Sequence, residues 1–348
     1  MESGIINSPK EEVMKKSLFL VLALLFMCAG FTFAAEKKFP VRDITNTVVW
    51  AAGGGTDVCN RIVSGEMAKI LKVNINVINK PGGVGGSIGM TDVIARPADG
   101  YNWAGISESC VTAGVQGGWD KRMNVWEYFI IGGSPDVISV TPSSPYKSIK
   151  ELIEDAKAKP GTIRASASGA GSIHHLNLLA IEKGSGVKLN FIPYAGSAPA
   201  QTAAMTGEVV AVVTSVAEQQ QLIRAGKLRP LAMLTPESFN LKDVGEIPSA
   251  FTPYPGLSKY LPIMQAIGFG VSAGVPEDIK KVIADAFAKA LVTDAFKNWA
   301  ATNYYTISGK TGKAAKDEFN NLESLFGWTL WELGAAKVNP ETLKIPKP

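Results

Sequence analysis

Three short patterns in this chain have residue types that could do chemistry. Gly85-Gly86-Ser87-Ile88-Gly89 satisfies the G-x-S-x-G spacing of a nucleophile elbow, in which a serine is exposed on a sharp strand-to-helix turn. Its base would have to be His174 or His175, the only histidines of the sequence. Adjacent helix positions point about 100° apart, so that pair cannot clasp one metal ion as an i, i+4 pair would. The third pattern, Ala51-Ala52-Gly53-Gly54-Gly55-Thr56-Asp57, follows an apolar run from Ile44 to Trp50 and opens a helical stretch. Glycines there admit a ligand to the backbone, and the unpaired N–H groups of the first turn carry the positive end of the helix dipole. The alternative is a tight βα turn that touches nothing.

Hydrolysis fits poorly. Pro81 and the glycine-rich residues 82–86 separate Ser87 from its strand, and both histidines precede most acidic residues that could complete a triad. Phosphate loops fail as well: Gly309-Lys310-Thr311 would need a glycine where Tyr304 stands, and no G-x-G-x-x-G falls at Gly53–Val58 or Gly83–Ile88. No nucleotide or other cofactor and no metal is expected. What remains is a set of loops rich in N–H and hydroxyl donors. Besides residues 51–57 they are Pro81-Gly82-Gly83-Val84-Gly85-Gly86-Ser87, Ser166-Ala167-Ser168-Gly169-Ala170-Gly171-Ser172 and Tyr194-Ala195-Gly196-Ser197-Ala198-Pro199-Ala200. Donors without formal charge suit a carboxylate held through dipoles, so the chain reads as a receptor and not as an enzyme.

The elements that must position these loops alternate between short apolar runs and helical stretches. Strands are expected at Thr45–Trp50, Ile75–Asn79, Trp103–Ser107, Thr162–Ala167, Leu189–Ile192, Val209–Thr214 and Leu228–Leu234, and helices separate most of them. This is an α/β pattern of mainly parallel sheets. Phe129–Thr141, broken by Gly132-Gly133 and Pro135, and Met264–Ala273 read as two crossings between lobes. Residues 35–140 with 262–348 then form one lobe and 141–261 the other. Ligands of open α/β sheets sit outside the carboxyl ends of the strands, between such lobes.

At 348 residues, 46% hydrophobic and 19% charged, the chain has a folded composition and ample length for two lobes. Its net charge of +4 is spread out, without the basic blocks and interleaved aromatics that nucleic acid would require. Lys15-Lys16, the apolar run from Leu18 to Ala29 and the small-residue site Thr32-Phe33-Ala34-Ala35 read as a signal peptide, residues 1–34, removed on export. Cys28 would leave with it. Cys59 and Cys110 remain, as a disulfide or as two buried thiols.

These patterns in their order resemble the periplasmic solute-binding proteins of tripartite tricarboxylate transporters, the Bug family. The resemblance rests on Phe39-Pro40-Val41-Arg42-Asp43-Ile44-Thr45, residues 51–57, Asn79-Lys80-Pro81-Gly82-Gly83-Val84-Gly85-Gly86, Ala98-Asp99-Gly100-Tyr101, residues 193–200, Ile223-Arg224-Ala225-Gly226-Lys227-Leu228-Arg229 and Val275-Pro276-Glu277-Asp278. It implies a type II periplasmic-binding-protein fold, a Venus flytrap that closes on an organic anion. It also implies a monomer in the periplasm that presents its small carboxylate ligand to a two-subunit membrane permease. A sensor presenting its ligand to a signalling partner is the alternative on the same fold.

By the same resemblance, Ala52, Gly53, Gly54, Gly55 and Thr56 would supply donors from the first lobe. Ser168, Gly169, Ser172 and His175 would face them, with Tyr194, Gly196 and Ser197 beside them. His175 matches the family's histidine in Gly171-Ser172-Ile173-His174-His175-Leu176, which leaves His174 as a solvated helix residue. Asp57, a carboxylate beside an anion, is better placed to cap backbone N–H groups than to touch ligand. Several positions depart from the family pattern: Thr214 and Val210 stand where acids are common, Phe269 where tryptophan is frequent, and Glu108 follows Ser107 in a loop of small hydroxyl residues. Glu108 would be a solvated charge on the rim, or else pair with a ligand amine or a nearby lysine or arginine, and Trp119 would pack between lobes or else stack on an aromatic ring.

Overall fold

The computed structural model describes residues 38–261 and 263–348, so the expected signal peptide with Cys28 lies outside the described residues. The first part of the chain runs β1 (Ile44–Val48), α1 (Gly55–Leu71), β2 (Ile75–Asn79), α2 (Ser87–Ile94), β3 (Asn102–Ile106) and β4 (Trp126–Gly133). A second group follows as β5 (Asp136–Val140), α3 (Ile149–Ala158), β6 (Arg164–Ser166), α4 (Ile173–Ser185), β7 (Asn190–Ile192), α5 (Ser197–Thr206), β8 (Ala211–Ser215), α6 (Val216–Arg224) and β9 (Arg229–Met233). A short hairpin, β10 (Phe239–Leu241) and β11 (Gly245–Ile247), precedes the return through β12 (Ile267–Ser272), α7 (Glu277–Leu291), α8 (Asp294–Thr302), β13 (Thr306–Thr311) and α9 (Gly312–Glu332). One sheet has the order β13-β4-β12-β3-β1-β2 and the other β7-β6-β8-β5-β9.

The two-lobed α/β class expected from the sequence is present, but both sheets are mixed rather than mainly parallel. β1 runs parallel to β2 and β3, and β6 to β7 and β8, because a helix returns the chain between those strands. The crossing segments have no such return. β12 therefore pairs antiparallel with β3 and β4, β4 with β13, and β5 with β8 and β9. β5 already hydrogen-bonds in the second sheet, so the chain changes sheets at Ser134-Pro135, ahead of residue 140.

Aromatic stacking fills the first lobe. Phe269 lies between Trp103 and Phe129, at ring-centroid distances of 4.5 and 4.7 Å, with Phe287 edge-on at 5.7 Å. Its departure from tryptophan is thus a matter of core packing. Trp119 also sits inside that core, packed and buried. In the second lobe β5 is covered on both faces: Ile138 and Val140 join one apolar cluster and Val137 another. Helix starts follow local chemistry, with Ser148, Ser172, Ser215 and Thr293 each accepting a first-turn N–H.

Cys59 and Cys110 are free and buried, so the disulfide is not formed. Cys59 turns under α1 towards Tyr305, whereas Cys110 lies on a 3-10 turn after β3. Burial pushes the Cys110 thiol up to about 12 and the Cys59 thiol higher still, which keeps both protonated and poorly nucleophilic. In the chain from residue 35 onward, both thiols should react with a maleimide only on unfolding. Reductant should leave the melting temperature unchanged; rapid labelling of folded protein would contradict this packing.

Candidate functional site

The loops after β1, β3, β6, β7 and β8 meet at one narrow, partly open cavity. Trp50, Gly54, Gly55, Thr56, Ser107, Glu108, Ser109, Ser168, His174, Ser197, Glu218 and Gln265 line it. No lysine or arginine is among these lining residues. The walls are hydroxyls, helix N-terminal N–H groups and three ionisable side chains.

The first wall is the glycine junction. Gly53 takes the left-handed region at φ 82°, which turns the backbone sharply off β1, and Gly55 opens α1. Asp57 shapes this turn: its carboxylate accepts the Gly53 N–H at 2.9 Å, Asn79 Nδ2 at 2.9 Å and Arg61 Nε at 3.0 Å. Burial would raise its pKa, but those donors outweigh it and hold the carboxyl below the ordinary range. The Gly55 N–H donates across the cleft to Glu218 Oε1 at 2.7 Å. A Cβ at Gly55 would come within 3.0 Å of that oxygen, so the approach needs glycine.

Glu218 belongs to the capping box of α6. Its Oε2 accepts the Ser215 N–H at 3.0 Å and the Ser215 hydroxyl at 2.9 Å. His174 Nε2 stands 3.4 Å from the same oxygen, and His174 Nδ1 is 2.7 Å from Asp136 Oδ2. Burial alone would lower the imidazole pKa, yet the flanking carboxylates of Asp136 and Glu218 lift it to about 9. This environment favours the imidazolium, with Nδ1 hydrogen-bonded to Asp136 and Nε2 set 3.4 Å from Glu218.

A second cross-cleft link starts at Glu108. Its Oε2 accepts the Ala266 N–H at 2.7 Å, and its Oε1 accepts the Ser109 hydroxyl at 2.8 Å. Ser109 Oγ in turn accepts the Ile173 N–H at 2.9 Å, the first donor of α4. Burial pushes Glu108 above the usual carboxylate range, against the hydrogen bonds from Ser109 and Ala266.

Of the residues expected to bind ligand, Gly54, Gly55, Thr56, Ser107, Glu108, Ser168 and Ser197 line the cavity. Ala52 and Gly53 lie exposed on the outside of the turn, and Asp57 faces its own loop. Gly169 packs against the Trp50 ring, and Gly196 backs onto Ala51. Ser172 caps α4, Tyr194 OH donates to Glu208 at 2.7 Å, and Thr214 Oγ1 accepts Gln201 Nε2 at 2.9 Å inside the second lobe.

The histidine expectation is reversed. His175 stacks on Phe191 at 3.9 Å and accepts the Gly171 N–H at Nδ1, with burial lowering its pKa to about 4. His174, expected to be solvated, is buried in the cleft wall. Ser87 lies buried beneath Gly118 while both histidines hydrogen-bond elsewhere, so no hydrolase triad assembles from these residues. Among the described residues, no group of three or more His, Cys, Asp or Glu side chains could hold a metal ion.

Sequence reasoning missed Trp50, Ser109, His174, Glu218 and Gln265. Only Glu218 had a signal: Ser215-Val216-Ala217-Glu218 is a capping-box pattern directly after a strand.

Two sheets, two crossings and a polar cleft at the strand ends define a two-lobed solute-binding protein. The chain belongs to the tripartite tricarboxylate transporter family receptors, whose family model matches residues 59–324. It is similar to the protein BugT of Bordetella pertussis, 30% identical over 224 residues that cover 63% of this chain and 68% of the relative. Two solved structures share the fold. An R. palustris protein with adipate has a TM-score of 0.77 at 23% identity, covering 86% of this chain and 99% of its own. MatC from Rhodopseudomonas palustris with bound malate has 0.73 at 21%, covering 83% and 100%.

The raised His174 pKa makes the closed cleft pH-sensitive. A base whose folded pKa exceeds its unfolded value adds stability that is complete below about 6.5 and lost as pH climbs through about 9. The melting temperature should fall over that window by the equivalent of ~3 kcal/mol. In His174→Asn the same scan should be flatter and start lower; an unchanged slope would contradict the ion-pair assignment.

Proposed function

We propose that this protein is a periplasmic receptor that captures a small organic carboxylate between its lobes, without chemical turnover, and delivers it to a two-subunit membrane permease. The lobe built on the first sheet and the lobe built on the second, which begins at β5, are the bodies that open and close, in a monomer. The observation that carries the reading is the cleft itself. Thr56, Ser168 and Ser197 line it as uncharged hydroxyl residues, with no assembled nucleophile and base. Membership of the receptor family and the adipate- and malate-bound relatives of the same fold support a carboxylate as the ligand class.

Thermal-shift and tryptophan-fluorescence titrations with mono-, di- and aromatic carboxylates test the proposal. A ligand at about 100 times its Kd stabilises the folded state by ~2.7 kcal/mol, enough to raise the melting temperature by several degrees. Trp50 lines the cleft, so Trp50→Phe should remove most of the accompanying fluorescence change. A panel in which no carboxylate moves either signal would sink the reading.

A further inference from the structure

The helix N-termini that would seat a dicarboxylate are already occupied. Glu218 of the second lobe accepts the first N–H of α1 in the first lobe at 2.7 Å. Glu108 of the first lobe takes up the first N–H of α4 in the second through Ser109, over 2.8 and 2.9 Å. Both carboxylates are nearly inaccessible, with Glu108 at 1% and the Glu218 side chain at 3% exposure, yet both line the cavity.

The charge balance is unfavourable to a dianion. Glu218 and the Asp136 carboxylate behind His174 face one imidazolium, with no lysine or arginine in the lining, and Glu108, pushed up by burial, supplies no positive charge either. A second ligand carboxylate would have to enter beside the buried Glu218 carboxylate, where like charges repel more strongly than in bulk water. Acceptor capacity remains instead. Glu108 accepts the Ser109 hydroxyl and the Ala266 N–H, two of the roughly four hydrogen bonds that a carboxylate can take, and Glu218 has room at Oε1, which accepts only the Gly55 N–H while Ser215 occupies Oε2. The uncharged donors Thr56, Ser168 and Ser197 suffice for one carboxylate.

We propose that the cleft selects an organic ligand with one carboxylate and one protonated nitrogen. Glu218 and Glu108 receive the nitrogen, and the hydroxyls of Thr56, Ser168 and Ser197 receive the carboxylate. The inference rests on the receptor reading above and names its ligand class. It assigns to Glu218 the seat that the second carboxylate of a dicarboxylate would otherwise use.

Calorimetric titration of the full chain tests it with amino acids of increasing length, each matched to the dicarboxylate and the plain alkanoate of the same length. At least one amino acid should bind more tightly than both of its matches. Glu218→Gln keeps an oxygen for the Gly55 N–H but removes the charge; it should weaken that amino acid by about 30-fold or more and strengthen the matched dicarboxylate. Glu108→Gln should also weaken the amino acid, and circular dichroism of both variants checks that they fold. A wild-type preference for the dicarboxylate or the alkanoate overturns the inference and leaves the receptor reading standing. Silence in this series with a response in the wider carboxylate panel does the same, whereas silence in both overturns the two together.

Discussion

A helix N-terminus on each lobe is satisfied by a side chain from the other, a carboxylate for α1 and a serine hydroxyl backed by a carboxylate for α4, and the architecture of the cleft follows from that constraint. The first N–H groups of a helix have no intrahelical partner and carry partial positive charge. In this protein α1 presents one to Glu218, and α4 presents one through Ser109 to Glu108. Charge-assisted hydrogen bonds of this kind are about twice as strong as neutral ones, and they fix direction as well as distance. The lobes are registered against each other by these bonds together with apolar packing, in which Ile173 and Leu176 of α4 join the first lobe's core.

Several local choices become intelligible on that basis. Gly55 must lack a side chain because Glu218 Oε1, Ile267 and Tyr305 crowd the space its Cβ would take. Gly196 must be small because Ala51 lies against it, and the Ala51 N–H donates to Ala195 O at 3.3 Å. Asp57 then sets the trajectory of the glycine turn from behind, tied to Arg61 and Asn79, without entering the cleft. His174 balances Glu218 and Asp136 together, which lets two carboxylates lie close in a buried wall.

The glycine junction was legible because strand, turn and helix signals coincide within residues 44–57, and the junction does open α1 at Gly55. Most core strands were legible for the same reason: short apolar runs bounded by Gly, Pro or Ser. Other features depend on partners remote in sequence. Nothing local distinguishes His174 from His175, since one helical step decides which ring meets Asp136 and which meets Phe191. Likewise Ser215 and Glu218 mark a helix start, but not that the glutamate reaches Gly55, 163 positions away. The cysteines could be counted, whereas their separation into different packing layers could not. Strand direction was misread at the crossings because an apolar run has the same period whichever way it is paired.

Closure and selectivity are coupled through the same few bonds. Opening the lobes would release Gly55 from Glu218, Ile173 from Ser109 and Gly171 O from the Thr112 hydroxyl, which spans 2.8 Å. Each bond contributes a net of about 0.5–1.5 kcal/mol if neutral and about 1.5–3 kcal/mol if one partner is charged, because water replaces it in the open form. A ligand that touches these bonds acts on the balance between open and closed forms, which the Gln220–Asn303 and Arg224–Tyr304 bonds between the lobes also set. A ligand shifts that balance only by its differential affinity for the two states. One that displaced Glu218 from Gly55 would remove a closing bond while adding its own. One that bound beside Glu218 would leave that bond intact and add to it, so the built-in carboxylate favours partners that complement it over those that compete with it.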